Sequence, residues 1–211
     1  MTNLIIAVDG PAASGKGTIA RALARHYNLP HLDTGSLYRA VGLWVLMEGG
    51  DPNDADQATA AARDFHQELL DRPELRDART SQAASMVAIH PGVRAALLER
   101  QRAFAAQPGG AVLDGRDIGT VIAPHATAKL FVTASPEVRA ERRRAELAGR
   151  GEHRDFDVVL ADIRARDDRD EHRDIAPTAL APDAALLDTS NLAIDAAVRR
   201  AVELVEARIN R

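Results

Sequence analysis

A short apolar run, residues 4–8 (LIIAV), is followed one residue on by Gly10-Pro11-Ala12-Ala13-Ser14-Gly15-Lys16-Gly17-Thr18, and then by Ile19, Leu23 and Tyr27 at i, i+4 and i+8. The run has the length of a buried strand, and the later spacing is that of one helix face. The chain therefore opens as strand, tight loop, helix. Two glycines with four residues between them and a lysine after the second match the spacing of a phosphate-binding P-loop. The physics explains the residue types. Glycines let the backbone wrap an anion without an obstructing Cβ. Successive N–H groups and the helix N-terminus supply partial positive charge. Lys16 is placed to reach β- and γ-phosphates, and the hydroxyl comes at Thr18 with Gly17 between.

The alternative is a glycine-rich turn with an incidental lysine. Of 27 basic residues only Lys16 and Lys129 are lysine, the rest being arginine, so a lysine at this position carries more information than usual. The loop predicts phosphate binding but not the fate of the phosphate. No Asn-Lys-x-Asp tetrapeptide accompanies either lysine, which argues against a guanine-nucleotide switch.

A chain of 211 residues, 45% apolar and 27% charged, can bury a sizeable core as one large domain or a core with an insertion. No apolar run approaches the roughly 18 residues of a membrane helix, and no leader pattern opens the chain. A net charge of -4 argues against holding nucleic acid by bulk charge. Cysteine is absent, which excludes disulfides, thiolate zinc sites and cysteine nucleophiles.

Strand-like segments recur at residues 29–33, 111–114, 128–133 and 184–187. Helical patterns cover 36–47, most of 55–106, the stretch after Ser135-Pro136, the face Phe156, Val159, Leu160 and Ile163, and an amphipathic end from Ile194 to Ile209. Strands alternating with helices predict an α/β fold with a parallel sheet covered on both faces. The stretch from 49 to 106 has no strong strand signal and reads as a helical insertion. The expected organisation is a core of residues 1–48 and 107–211, with a lid at about 139–156.

Three further segments narrow the reading: Asp33-Thr34-Gly35-Ser36-Leu37-Tyr38-Arg39, Asp114-Gly115-Arg116-Asp117-Ile118-Gly119-Thr120, and residues 166–173 (RDDRDEHR). With the Gly-Lys-Gly-Thr loop and residues 85–94 (SMVAIHPGVR), they resemble the bacterial cytidylate (CMP) kinase family, in order and over nearly the whole chain. The resemblance implies a P-loop core, a helical monophosphate-binding insertion, and a cytoplasmic, monomeric enzyme using ATP and Mg²⁺ to phosphorylate CMP and dCMP. It implies neither a nucleic-acid nor a membrane partner. In one respect the chain departs from the family. Residues 67–78 are too short for the small antiparallel sheet commonly found in the insertion, and read as helix and turn.

By that resemblance, Gly10 to Thr18 bind ATP, and Arg142 and Arg143 are candidates to cover its phosphates. Thr34, Tyr38 and Arg39 bind CMP, Arg39 at its 5′-phosphate, while Ser85, Arg94 and Asp117 read the cytosine. Arg116 contacts the acceptor phosphate, Arg166 and Arg173 flank the phosphates, and Asp170 holds ribose hydroxyls. Thr18 is the direct magnesium contact, and Asp114 a contact through water. The chemistry is coherent, since cytosine offers an amino donor and O2/N3 acceptors and so needs one acid and one cationic donor.

Each assignment has a plainer alternative in the residues themselves. Tyr38 and Arg39 could be an ordinary helix surface, Asp114 a strand-end turn, and Ser85 and Arg94 solvated helix residues. The arginines from 139 to 150 could be a basic helix with glutamate partners. Arg166, Asp170 and Arg173, at i, i+4 and i+7, fall within roughly 60° of one another on a helix. That stripe abuts the apolar face, so unpartnered charges there would be costly, and either a ligand or a salt-bridged face answers the cost. Two other functions stay open: a kinase for UMP or another small acceptor, and a nucleotide sensor without turnover.

Overall fold

The computed structural model describes residues 3–210. Five strands form one sheet: β1 (Leu4–Asp9), β2 (His31–Asp33), β3 (Gly110–Gly115), β4 (Ala128–Thr133) and β5 (Ala185–Asp188), in the order β2-β3-β1-β4-β5. β1 pairs in parallel with β3 and β4, and β4 with β5. The chain thus leaves β1 toward one side of the sheet and later returns to build the other. Such a reversal opens a crevice at the carboxyl ends of the strands.

The helices are α1 (Lys16–Tyr27), α2 (Thr34–Met47), α3 (Ala55–Arg63), α4 (Ala78–Val87), α5 (Pro91–Ala105), α6 (Pro136–Ala148), α7 (Phe156–His172) and α8 (Ile194–Ile209). Their ends follow local chemistry. Asp54 caps α3 by accepting from the Asp56 and Gln57 N–H groups. Ser135 caps α6, and Pro136 opens it, where a missing N–H costs nothing.

The chain divides into two compact units. The first comprises residues 1–32, 105–172 and 176–211; the second comprises 33–104 with 173–175. The first unit holds the sheet. Its core is formed by Ile6, Val8, Val112, Leu130 and Val132 of the strands, Ile19 and Leu23 of α1, and Ala197, Ala201 and Val205 of α8. The strands carry near-continuous apolar runs because the sheet is covered on both faces.

The second unit is helical, with a smaller core of Ala40, Leu43, Leu69 and Leu75 against Trp44, Phe65 and Leu70. It begins earlier than the expected insertion at 49. The apolar side of α2 packs on α4, α3 and the 3₁₀ turns, so α2 belongs with this unit rather than with the sheet. Residues 67–76 form two 3₁₀ turns, Gln67–Asp71 and Pro73–Arg76, and α4 follows from Ala78. No helix among the described residues is long and apolar enough to cross a membrane.

Candidate active site

The phosphate loop runs from the end of β1 to the start of α1. Ala13 has φ 57° and Gly15 φ 90°, left-handed conformations that turn successive N–H groups toward one concavity. Gly10 has φ 148°, and a Cβ there would run into the Val132 carbonyl of β4. Only glycine lets the loop leave the strand so close to its neighbour. Lys16 Nζ donates to the Pro11 carbonyl at 3.1 Å, which holds the ammonium across the loop. The Ser14 Oγ is buried with no hydrogen-bond partner among the described residues. A buried hydroxyl without a partner is costly, and an anion seated in this loop would relieve it.

The loop is braced from behind. Arg142 donates to the Ser14 carbonyl at 3.3 Å and to the Thr189 Oγ1 and carbonyl at 2.9 and 2.7 Å. Arg139, expected to open a lid, is instead anchored in the interior. It forms a two-pronged pair with Asp167 at 2.9 and 2.6 Å, and donates to the Ala134 and Ala12 carbonyls. The next arginines, Arg143 and Arg144 on α6 and Arg150 just past its end, have glutamate partners: Arg143 and Arg150 on Glu146, and Arg144 on Glu141. Arg142, expected over donor phosphates, directs these bonds to the loop backbone and to the turn after β5.

At the end of β3, Asp114 is buried, and its Oδ1 lies 2.7 Å from His31 Nε2. Its Oδ2 lies beside the start of α1, 3.5 Å from where a Cβ on Gly17 would stand. Thr18 is exposed in the first turn of the same helix. Hydroxyl and carboxylate oxygens are the hard donors that Mg²⁺ prefers, and two such side chains beside a phosphate loop suit an ion that keeps several waters. These residues therefore fit a magnesium ion carried with a nucleotide.

Arg116 follows at once. Its Nε donates to Asp170 Oδ2 at 3.0 Å, and Arg166 Nε stands 3.8 Å from the same oxygen. Asp170 is therefore partnered inside the protein, as a salt-bridged alternative requires, and α7 and the turn after β3 are tied together. Arg173 departs from the expected stripe. α7 ends at His172, and Arg173 lies in the second unit.

The second unit holds the remaining candidates. Arg39 on α2 pairs with Asp33 at 2.6 Å, while its Nε is buried without a hydrogen-bond partner among the described residues. Thr34 is buried in the first turn of α2. Ser85 and Arg94 are both buried, which removes the reading of solvated helix residues. The Arg94 guanidinium lies 5.7 Å from the centre of the Tyr38 ring.

One residue was not legible as functional. Asp9 ends β1 and is buried, its Oδ1 accepting from the Ile118 N–H at 2.8 Å and its Oδ2 from the Gly119 N–H at 2.7 Å. An acid closing an otherwise apolar strand was the available signal. Burial pushes its carboxyl up to about 7, against the opposing pull of the two N–H bonds and Lys16, with Asp117 adding to the rise. The folded chain therefore holds a proton that the unfolded chain has released between pH 4 and 7. Stability from this group falls as pH rises across that window. Asp9→Asn is expected to remove this component, so the difference in melting temperature between wild type and variant should change between pH 4 and 7 and level off above. A difference independent of pH would show that the carboxyl titrates normally.

The cytidylate kinase family model matches residues 6–207. The chain belongs to the cytidylate kinase family. Its similarity to curated members is extensive. A cytidylate kinase of Xanthobacter autotrophicus is 62% identical over 205 residues, covering 97% of this chain and 98% of that one. One from a Caulobacter species is 58% identical over 207 residues, covering 97% and 96%. One from Rhodopseudomonas palustris is 55% identical over 204 residues, again covering 97% and 96%. Solved structures show likeness of fold alone. An uncharacterized protein from Eubacterium ventriosum aligns with TM-score 0.56 at 13% identity, covering 97% of this chain and 99% of that one. A sugar kinase from a Janibacter species aligns with TM-score 0.50 at 16% identity, covering 97% and 95%. As a family member the chain is an ATP-dependent nucleotide kinase, and the phosphate loop is the part of the cytidylate kinase site whose chemistry the backbone alone makes plain.

Proposed function

We propose that this protein transfers the γ-phosphoryl group of ATP to CMP and dCMP, giving ADP and the nucleoside diphosphate. Membership of the family supports the reaction. The observation that carries the acceptor is the turn at residues 114–119. It sets Arg116 and buried Asp117 at the end of β3, the strand paired with β1, which leads into the phosphate loop.

An acceptor phosphate oxygen is already a nucleophile and needs no base. It attacks the γ-phosphorus in line, and the bond to the β–γ bridging oxygen breaks as ADP leaves. Positioning and charge stabilisation supply the catalysis. Lys16 and the loop N–H groups hold the β- and γ-phosphates. Arg116 and Arg166, oriented through Asp170, together with Arg173, offer cations for the migrating group. Arg39 is the acceptor-phosphate contact, beside Thr34 and Tyr38. Asp117 accepts from the cytosine amino group, with Ser85 and Arg94 completing the base contact. Thr18, with Asp114 acting through water, would hold a Mg²⁺ ion brought with ATP, which would supply charge neutralisation at the transferred phosphoryl. Residues 139–156 act as the lid that excludes water, pivoting beyond the anchored Arg139, and residues 49–106 form the monophosphate side. The enzyme works as a cytoplasmic monomer on free nucleotides, without a nucleic-acid or membrane partner.

The test is ADP release with ATP, Mg²⁺ and a panel of CMP, dCMP, UMP, AMP, GMP and shikimate. Turnover confined to CMP and dCMP is the expected result, and ATP binding without turnover of any acceptor would overturn the enzyme reading. Asp117→Ala is expected to lower the preference for CMP over UMP by about tenfold or more, the worth of one hydrogen bond to a charged group. An unchanged CMP/UMP ratio would remove Asp117 from base recognition.

A further inference from the structure

We infer that Asp9 is a positioning residue for the acceptor side of the site: it fixes the turn that carries Arg116 and Asp117 to the strand from which the phosphate loop departs. The inference rests on the proposed CMP kinase reading and deepens it.

β3 ends at Gly115, and the chain must turn sharply to present Arg116 and Asp117 before it coils again. The coil that follows, Ile118–Ile122, is a π-helical turn. The Asp117 carbonyl accepts from both Val121 and Ile122, at 2.9 and 3.2 Å, and the Ile118 carbonyl accepts from Ala123 at 2.7 Å. A π turn has poor intrinsic stability and persists where its surroundings hold it. Its first two N–H groups, those of Ile118 and Gly119, have no carbonyl of their own turn to reach. Both are taken by the two oxygens of Asp9, at 2.8 and 2.7 Å. Ile118 and Asp9 are both buried, so no water replaces these bonds.

Sequence distance makes the contact informative. Asp9 and Ile118 are 109 residues apart, so no local preference places them together. Asp9 immediately precedes Gly10, and Ile118 immediately follows Asp117. One carboxylate thus joins the backbone that begins the donor loop to the backbone that ends the acceptor turn. Gly119 permits the approach, because a Cβ there would lie 3.3 Å from Asp9 Oδ2 and 3.1 Å from Lys129 Cδ. Burial raises the carboxyl's affinity for a proton, and the two N–H bonds oppose that rise by favouring the ionised form that accepts both.

The prediction separates this role from general structural support. Asp9→Asn keeps the side-chain volume but offers one acceptor oxygen to two N–H groups, and turns an NH₂ toward the other. The KM for CMP is expected to rise about tenfold, the preference for CMP over UMP to fall, and the KM for ATP to stay within about twofold. Amide exchange at Ile118 and Gly119 should quicken in the same variant. Gly119→Ala leaves the carboxylate in place and crowds it, and should shift the CMP KM in the same direction; it also decides the matter if Asp9→Asn fails to fold. Parallel rises in the KM for ATP and CMP, or unchanged exchange at the two amides, would overturn the inference. Wild-type protein that does not turn over CMP would instead overturn the kinase reading, while the exchange measurement would still report on the turn.

Discussion

Lys16→Ala should lower kcat with CMP by about 100- to 1,000-fold, the usual cost of removing one preorganised cation or donor from developing charge. The fold should survive the change. Lys16 lies at the first position of α1, where alanine is a good helix former, and its Nζ donates to the carbonyl of Pro11 within the same loop. The KM for CMP should move much less than kcat, because the acceptor groups are borne by other segments. ADP-release kinetics with a parallel melting curve read both quantities. Near-normal turnover in a folded Lys16→Ala protein would end the assignment of this loop to phosphoryl transfer. Arginine restores the charge but not the compact ammonium, so Lys16→Arg should recover only part of the rate.

The second large effect concerns stability. Arg139 and Asp167 form a two-pronged pair whose side chains are only 5% and 15% exposed. Removing the acid alone leaves a guanidinium buried with only the Ala134 and Ala12 carbonyls to receive it. Breaking such a pair costs about 3–5 kcal/mol. Asp167→Ala should therefore bring the urea midpoint down sharply. It should also raise the KM for ATP, because a guanidinium without its carboxylate partner holds the Ala12 carbonyl of the phosphate loop less firmly. Replacing both partners with apolar residues of similar size, as in Arg139→Met with Asp167→Leu, should recover most of the stability. The contrast between single and double variants is the check, read by chemical unfolding. A single variant as stable as wild type would show that the pair is not an anchor.

Much of the fold was legible because its signals are local. The apolar runs of β1, β3 and β4 are continuous, and they sit where a doubly covered sheet places them. Ser135-Pro136 announces α6, and the break at Pro91 separates α4 from α5. Phosphate binding was legible for the same reason: loop, lysine and following helix are contiguous, and their geometry follows from backbone chemistry. The segment at 67–78 was also readable as too short for a sheet.

The differences between the sequence expectation and the structure have a common cause. Arg139, Arg142 and Arg143 share one basic stretch, and composition cannot separate them. Packing assigns Arg139 to Asp167, Arg142 to the backbone of the turn after β5, and Arg143 to Glu146. Arg173 fits a helical stripe by spacing, yet α7 ends one residue before it. The boundary of the second unit was placed at a glycine-rich break, whereas α2, ahead of that break, packs with α4. Burial of Ser85 and Arg94 was invisible, since their segment carries no strong periodicity.

The division between the two kinds of knowledge is physical. Strand, loop and helix order, the phosphate loop and the family resemblance are written in contiguous residues, because a backbone conformation depends on its neighbours in the chain. Which charges are partnered, which carboxyl has its proton affinity raised by burial, and which turn is pinned depend on atoms brought together from distant positions. Asp9 with Ile118 and Gly119, Asp114 with His31, and Asp170 with Arg116 are all such pairs. The sequence places Asp9 between the apolar run and Gly10; only the fold decided that its two oxygens would be buried against the turn that bears Asp117.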